Sequence, residues 1–183
     1  MTVFTRFFAI AAMLLLAACG TGKGPVSATA SNWNLQDVSV RFGPEVSRTA
    51  SGKDFSSNFV WEGMGDGNRK RMVAGMFRNA MNEVAAETMQ GSQPVNMKIQ
   101  INYFHALTNF SRLWCCGEHR IFADIAVEDA ASGATLASVE NLSMGRLALG
   151  GIPGLVAVAA GRDQEVRIHE ALVNRTREWL AGL

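Results

Sequence analysis

The chain has 183 residues and a formal net charge of +1, and 48% of its residues are hydrophobic. This length allows one domain with a sizeable core and is too short for two comfortable domains. The balanced charge gives no electrostatic basis for binding nucleic acid, and the many aromatic and branched aliphatic residues exclude an intrinsically disordered chain.

The start of the chain has the features of a removable secretion signal. A weakly basic start containing Arg6 precedes the unbroken apolar run 7–16, which is too short to span a bilayer. The sequence at 16–19 (LAAC) resembles the lipobox of bacterial lipoproteins. We therefore predict cleavage before Cys19 and stable anchoring by acyl chains on that residue. The residue after Cys19 is Gly20. In such lipoproteins an Asp at this position indicates retention at the inner membrane. The absence of Asp therefore favours the periplasmic face of the outer membrane.

The signal divides the chain into three parts. Removal of residues 1–18 takes away one arginine and no acid, which leaves equal numbers of basic and acidic residues. Residues 19–31 are small, polar and rich in glycine, as is typical of a flexible tether. We therefore predict a signal peptide (1–18), a lipidated tether (19–31) and a single periplasmic α+β domain (32–183).

The first half of the domain predicts two strands, a helix and a third strand. Alternating apolar side chains indicate strands at 35–42 and 58–62. Apolar residues spaced three and four apart predict a helix from Asp66, as its N-cap, through Met89. The next segment alternates strictly, and its apolar face consists of Val95, Met97, Ile99, Ile101 and Tyr103.

The second half predicts a hairpin and a closing helix. After a long connection, residues 120–129 and 134–144 form a strand pair, and Gly133 supplies the positive φ of the turn. A glycine-rich apolar stretch, 145–161, precedes a last helix at 163–181. This order favours an α+β fold, with a mostly antiparallel sheet of four to five strands and two main helices packed on one face.

Three features together resemble small bacterial envelope lipoproteins of unknown function, including the auxiliary lipoproteins of ABC-type transport systems. These features are the lipobox, the helix followed by the alternating strand at 95–104, and the hairpin 127–136 (VEDAASGATL). The resemblance implies a non-enzymatic role in partner binding, lipid transport or assembly, and it supplies no catalytic residues. The adjacent cysteines and the glycine-rich apolar segment depart from that pattern.

Cys115 and Cys116 are the two thiols left once Cys19 is lipidated. In an oxidising compartment they favour a structural or vicinal disulfide. Free thiols or a bridge to a partner are the first alternative. The second is a zinc site completed by His105 and His119, although the spacing matches no standard zinc module. We expect no metal and no cofactor.

Three cations at the start of the predicted helix form a candidate anion site. Arg69, Lys70 and Arg71 follow the glycine-rich stretch 63–67 and oppose the helix dipole, which a nearby anion such as a lipid phosphate would relieve. The stretch is not a P-loop, since it lacks the terminal Gly-Lys-Ser/Thr. A solvated basic helix face is the favoured interpretation.

The apolar segment 147–161 has two interpretations. We favour a core segment, with Pro153 in a short helical turn. The alternative is an exposed flap that binds a partner or enters a bilayer, with Leu147, Ile152 and Leu155 as candidate interface residues.

No hydrolase motif of the G-x-S-x-G or H-E-x-x-H type is present in the sequence, and we predict that the protein is not an enzyme. The sequence is best explained by a lipid-anchored binding or assembly module with an envelope protein as partner and no affinity for nucleic acid. The alternative is a lipid- or substrate-binding auxiliary component of an envelope transport system, in which the apolar segment lines a hydrophobic mouth.

Overall fold

The computed structural model describes residues 27–46, 57–62, 69–106 and 117–183. Within these ranges the chain forms a mixed sheet of six strands and four helices. The elements in chain order are α1 (Ala28–Ser31), β1 (Trp33–Phe42), β2 (Phe59–Val60), α2 (Arg69–Thr88), β3 (Gln93–His105), β4 (Gly117–Asp129), β5 (Thr135–Ser143), β6 (Arg146–Ala148), α3 (Gly151–Ala159) and α4 (Gln164–Ala181). Among the helices in the described ranges, none combines the length and apolarity needed to cross a bilayer.

The sheet has the strand order β1-β3-β4-β5, with β2 pairing with β3 and β6 with β4. The β3–β4 and β4–β5 pairs are antiparallel, as predicted, and β6 is also antiparallel to β4. However, β1 and β2 both run parallel to β3, so the sheet is mixed, with three antiparallel and two parallel pairings, and it has six strands where four to five were predicted. The reason is the connection: α2 lies between these strands and returns the chain to the end of the sheet from which β1 started.

The core lies between one face of the sheet and the two long helices. Helices α2 and α4 pack side by side, and their buried side chains join the inner face of the sheet in one cluster. This confirms the prediction of two main helices on one face. The largest contributions come from Phe77, Met81 and Val84 of α2, Ile168, Leu172 and Leu180 of α4, and Ile99, Ile101, Ile121 and Ile125 of the sheet.

A bulge in β3 changes which of its aromatic residues is buried. Ile101 lies opposite Ala123, but Tyr103 lies opposite Phe122, so Asn102 is the extra residue. One inserted residue reverses the alternation of a strand. As a result Phe104 is fully buried, whereas Tyr103, which the strict pattern placed on the apolar face, is partly exposed.

The folded domain starts before the predicted boundary at residue 32. Helix α1 is capped by Ser27, whose Oγ accepts the N–H of Ala30 at 3.0 Å. Ala30 is fully buried, and Trp33 follows it into the core. Residues 28–31 therefore belong to the domain and not to the tether, because a buried alanine holds them against the core.

The remaining differences between the predicted and the observed elements lie in or next to the long connections. The predicted strand at 58–62 is reduced to the two residues of β2, and α2 is described from Arg69. The predicted N-cap Asp66 lies outside the described residues. Gly133 has a φ of 73°, which confirms the predicted positive φ in the turn between β4 and β5.

Candidate functional site

The apolar segment 145–161 forms β6 and α3 and lies on the surface. The side chains of Leu147, Ile152, Leu155 and Val156 are 76%, 77%, 71% and 63% exposed. We call these four residues the α3 surface. The favoured interpretation of a core segment is wrong, and the exposed alternative is what the structure contains. The physical reason is that α2 and α4 already supply the buried cluster on the inner face of the sheet.

Helix α3 is held against the domain by close backbone contacts and not by large side chains. Gly154 is its buried residue, and a Cβ at that position would lie 2.8 Å from the carbonyl oxygen of Leu149. The buried Arg167 of α4 donates from Nη2 to the carbonyl oxygen of Leu147 at 2.6 Å. These contacts attach the small side of the helix and leave its large aliphatic residues pointing outward.

Charged residues that lie before and after this apolar segment in the chain form ion pairs with each other. Glu170 Oε2 accepts from Arg146 Nη1 at 3.1 Å and from Arg162 Nη2 at 2.6 Å. These two arginines flank the segment that carries the α3 surface in sequence, and the α3 surface itself contains no charged residue. An apolar centre with a polar rim is the usual composition of a protein interface.

The cavity beside α3 is very small. It has a volume of ≈ 10 Å³, about the room for one water molecule. Its lining includes Leu149, Ala157 and Val158 but none of the four residues of the α3 surface. The α3 surface is therefore an outward surface, and its side chains do not form the mouth of this cavity.

Lys70, one of the three cations of the predicted anion site, lies against two aromatic rings. Lys70 Nζ lies 5.5 Å from the ring centre of Phe42 and 5.8 Å from that of Phe59, and 3.4 Å from the carbonyl oxygen of Val46. This cation–π geometry stabilises the contact of α2 with β1 and β2. Arg71 is exposed and Arg69 partly so. The glycine-rich stretch 63–67 lies outside the described residues, so an anion site there stays a prediction.

The cysteines lie outside the described residues, and the predictions for Cys19, Cys115 and Cys116 stay predictions. The two histidines of the zinc alternative are described, and the strand pattern places them on opposite faces of the sheet. His119 is buried on the inner face of β4, whereas His105 follows the inward-facing Phe104 in β3. In the described part of the chain, no group of three or more metal-binding side chains comes together.

His105 lies next to Tyr103 and Arg120. Its Nδ1 lies 3.1 Å from the hydroxyl oxygen of Tyr103. Burial, and then the positive charge of Arg120, lower the pKa of His105 below its ordinary value of 6.5. The imidazole is therefore held in its neutral form near neutral pH and pairs with a phenol.

The outer face of the sheet carries a polar network that the sequence patterns did not single out. The carboxylate of Asp124 accepts from Asn102 Nδ2 at 2.8 Å, from Gln100 Nε2 at 3.3 Å and from the backbone N–H of Asn141 at 2.8 Å. These residues occupy polar positions of strands with alternating side chains. This polar alternation is the one sequence signal that points to them. The network ties β3, β4 and β5 together on the outer face.

The fold and the α3 surface together define a small α+β domain, with a helix pair on one face of a mixed sheet and an exposed apolar helix at its edge. The sequence matches a family of unknown function (DUF6778) over residues 33–182, and the chain belongs to that family. No curated protein matches the sequence.

Three solved structures have a similar arrangement. A candidate lipoprotein from Caulobacter crescentus CB15 is 20% identical with a TM-score of 0.40, and the match covers 60% of this chain and 80% of that chain. A protein of the DUF330 family from Xanthomonas campestris is 13% identical with a TM-score of 0.48, covering 87% and 91%. A dodecameric PelC variant from Paraburkholderia phytofirmans is 13% identical with a TM-score of 0.39, covering 82% and 90%. At these scores the similarity carries no information about function.

Proposed function

We propose that the protein is a lipid-anchored envelope lipoprotein that acts as a non-enzymatic binding or assembly module. Lipid on Cys19 holds it at the periplasmic face of the outer membrane, and the α3 surface binds a protein partner. The observation that carries the proposal is the exposure of four large aliphatic side chains, each more than three-fifths exposed, on β6 and α3. Large apolar side chains exposed in this number on one short segment are typical of an interaction site.

The energetic argument is the cost of leaving this surface in water. Full burial of one Leu, Ile or Val side chain contributes about 1.5–3 kcal/mol. Ile152, Leu155 and Val156 share one face of α3, and their burial is enough to form the centre of an interface, even after the entropic cost of association. The paired Arg146, Arg162 and Glu170 would then form part of its polar rim.

The alternative is a lipid- or substrate-binding component of an envelope transport system, as the resemblance to ABC-type auxiliary lipoproteins implies. That role needs an apolar cavity, and ligand pockets commonly have about 300–1,000 Å³. The cavity beside α3 has ≈ 10 Å³. A second cavity, on the outer face of the sheet, has ≈ 220 Å³ but is lined by charged residues such as Arg41, Lys98 and Glu128. Neither of these two cavities offers an apolar site for a lipid, and we therefore favour a protein partner.

The experiment that tests the proposal measures the size of the complex that the lipidated protein forms when it is extracted gently from membranes. We expect the wild type to migrate as a complex and Leu155→Asp to migrate as a single chain. The matched control is Leu136→Asp, which introduces the same charge at an exposed leucine of β5, far from β6 along β4. A wild type that migrates as a single chain would contradict the proposal. Cys19→Ala tests the anchor and should leave the membrane fraction.

A further inference from the structure

We infer that the partner of the α3 surface is a second copy of this chain, anchored in the same membrane. The inference rests on the proposed function, since it names the partner of that surface. It follows from three observations: the end of the sheet at which α3 lies, the length of the tether, and the composition of the exposed helix face.

Ser27, at which the predicted tether joins the described domain, and the α3 surface belong to opposite ends of the sheet. Ser27 and α1 lead into Trp33, which lies opposite Gln93 at the start of β3, and this end of β3 pairs with the end of β4 at Asp129. The α3 surface follows β6, which pairs with the start of β4 at residues 117–119. Ten residue steps of β4 separate His119 from Asp129, which at about 3.3 Å each corresponds to about 33 Å.

The tether is too short to bring the far end of an upright domain to the membrane. Eight residue steps lead from Cys19 to Ser27. Fully extended they span at most about 29 Å, and as a flexible coil about 16 Å on average. In an upright domain with α3 at the bilayer, the opposite end of β4 would lie about 33 Å from it, and Ser27 leads into the sheet at that opposite end. The tether therefore favours an orientation in which the α3 surface lies at the end of the domain remote from the anchoring bilayer, at a height where neighbouring proteins can reach it.

The exposed face of α3 is suited to packing against an identical helix. Ile152, Leu155, Val156 and Ala159 are spaced at i, i+3, i+4 and i+7, which is one face of a helix. Since this face contains no charged residue, two identical faces can meet without placing like charges together. Two-fold symmetric pairing of one self-complementary surface is the commonest form of oligomer.

Anchoring raises the chance that two identical surfaces meet. Copies that carry the same tether in the same leaflet hold their α3 surfaces at the same height above the membrane. Confinement of this kind acts as an increased effective concentration, so a modest apolar contact is sufficient for association. A second copy is the one partner that this arrangement supplies without any further component.

The test places a photo-crosslinking amino acid at position 155 of the full-length lipidated protein in native membranes. The matched control carries the same amino acid at position 136, an exposed leucine of β5. A photo-reactive side chain avoids a background from the native cysteines. The crosslinked products are identified by mass, and the probe at position 155 is also combined with Ile152→Asp.

We expect a product of twice the mass of one chain from position 155, none from position 136, and loss of the product with Ile152→Asp. A crosslink from position 155 to a different protein, without the double-mass product, would overturn the second-copy inference and leave the proposed function intact. Crosslinks to lipid alone, or none, would overturn both. Circular dichroism of Ile152→Asp checks that the fold survives, as expected for a residue that is 77% exposed.

Discussion

Asp129 organises the turn between β4 and β5 through its carboxylate. Its Oδ1 accepts the N–H of Ser132 at 2.8 Å, the hydroxyl of Ser132 at 2.8 Å and the N–H of Ala131 at 3.2 Å. The backbone and side-chain hydrogen bonds from Ser132, followed by the one from Gln93, lower the pKa of this carboxyl below its ordinary value of 3.8. The ionised form is therefore the one that closes the turn.

The lowered pKa of Asp129 makes the stability of the folded protein depend on pH. Since the pKa of Asp129 is lower in the folded than in the unfolded chain, its stabilising contribution is complete above the ordinary value of 3.8 and is lost as the pH falls through the lower folded value. We predict that Asp129→Asn is less stable than the wild type near neutral pH, and that the difference narrows on acidification from about pH 6 to about pH 3. Urea midpoints of both proteins across that range are the measurement, and a constant difference would contradict the prediction.

Asn141 is the non-glycine residue with a positive φ, 50°, in the described part of the chain. Asparagine tolerates this left-handed conformation better than branched residues, and here its N–H is held by Asp124 at 2.8 Å.

We therefore predict that Asn141→Gly leaves the free energy of unfolding nearly unchanged, while Asn141→Val lowers it by about 1–2 kcal/mol. Urea unfolding of both variants measures the difference. Equal stability of the two variants would show that the backbone conformation is not the cause.

At the scale of elements, two helical glycines have opposite surroundings. Gly75 of α2 has open space where a Cβ would lie, whereas Gly154 of α3 would place its Cβ 2.8 Å from the carbonyl oxygen of Leu149. A helix interior favours alanine over glycine by about 0.5–1 kcal/mol when nothing is in the way. The same substitution should therefore stabilise one helix and loosen the other.

We predict that Gly75→Ala raises the free energy of unfolding by about 0.5–1 kcal/mol. Gly154→Ala should instead increase amide hydrogen exchange across residues 151–159, because α3 must move away from the carbonyl group of Leu149 to admit the methyl group. Hydrogen exchange followed by mass spectrometry resolves the two regions. Unchanged protection of α3 in Gly154→Ala would mean that the close contact with Leu149 does not hold the helix.

At the scale of the whole molecule, ionic contacts and apolar contacts with a partner would respond differently to salt. Ionic contacts between proteins weaken as the screening length falls from about 10 Å at 0.1 M to about 3 Å at 1 M salt. The α3 surface contains no charged residue, so we predict that the complex formed through it survives an increase from about 0.1 M to about 1 M sodium chloride. Sedimentation of the extracted lipidated protein measures this. Dissociation at high salt would assign the contact to Arg146 and Arg162 instead.

Local sequence patterns predicted most elements of the domain. The alternation in β3 and β4, the spacing of apolar residues in α2 and α4, and the glycine at position 133 all depend on the geometry of a few neighbouring residues. Asp163 was placed correctly as the start of the last helix, where its Oδ1 accepts the N–H of Val166 at 3.0 Å. The candidate site was predicted in part. Leu147, Ile152 and Leu155 were named as candidate interface residues, but the favoured interpretation placed their segment in the core.

Tertiary structure decided three properties that no local pattern contains. The direction of β1 and β2 relative to β3 depends on how the chain crosses the sheet through α2. The bulge at Asn102 depends on the register with β4, and it exchanges the positions of Tyr103 and Phe104. The exposure of α3 depends on whether other helices already occupy the inner face.

The sequence by itself therefore determined where the two long helices and the longer strands of this protein lie, because their periodicity is a local property of the backbone. It also determined that an uncharged apolar segment precedes the last helix. Whether that segment enters the core or remains outside was decided by the tertiary structure alone. The space on the inner face of the sheet is limited, and α2 and α4 fill it, so Leu147, Ile152 and Leu155 remain exposed.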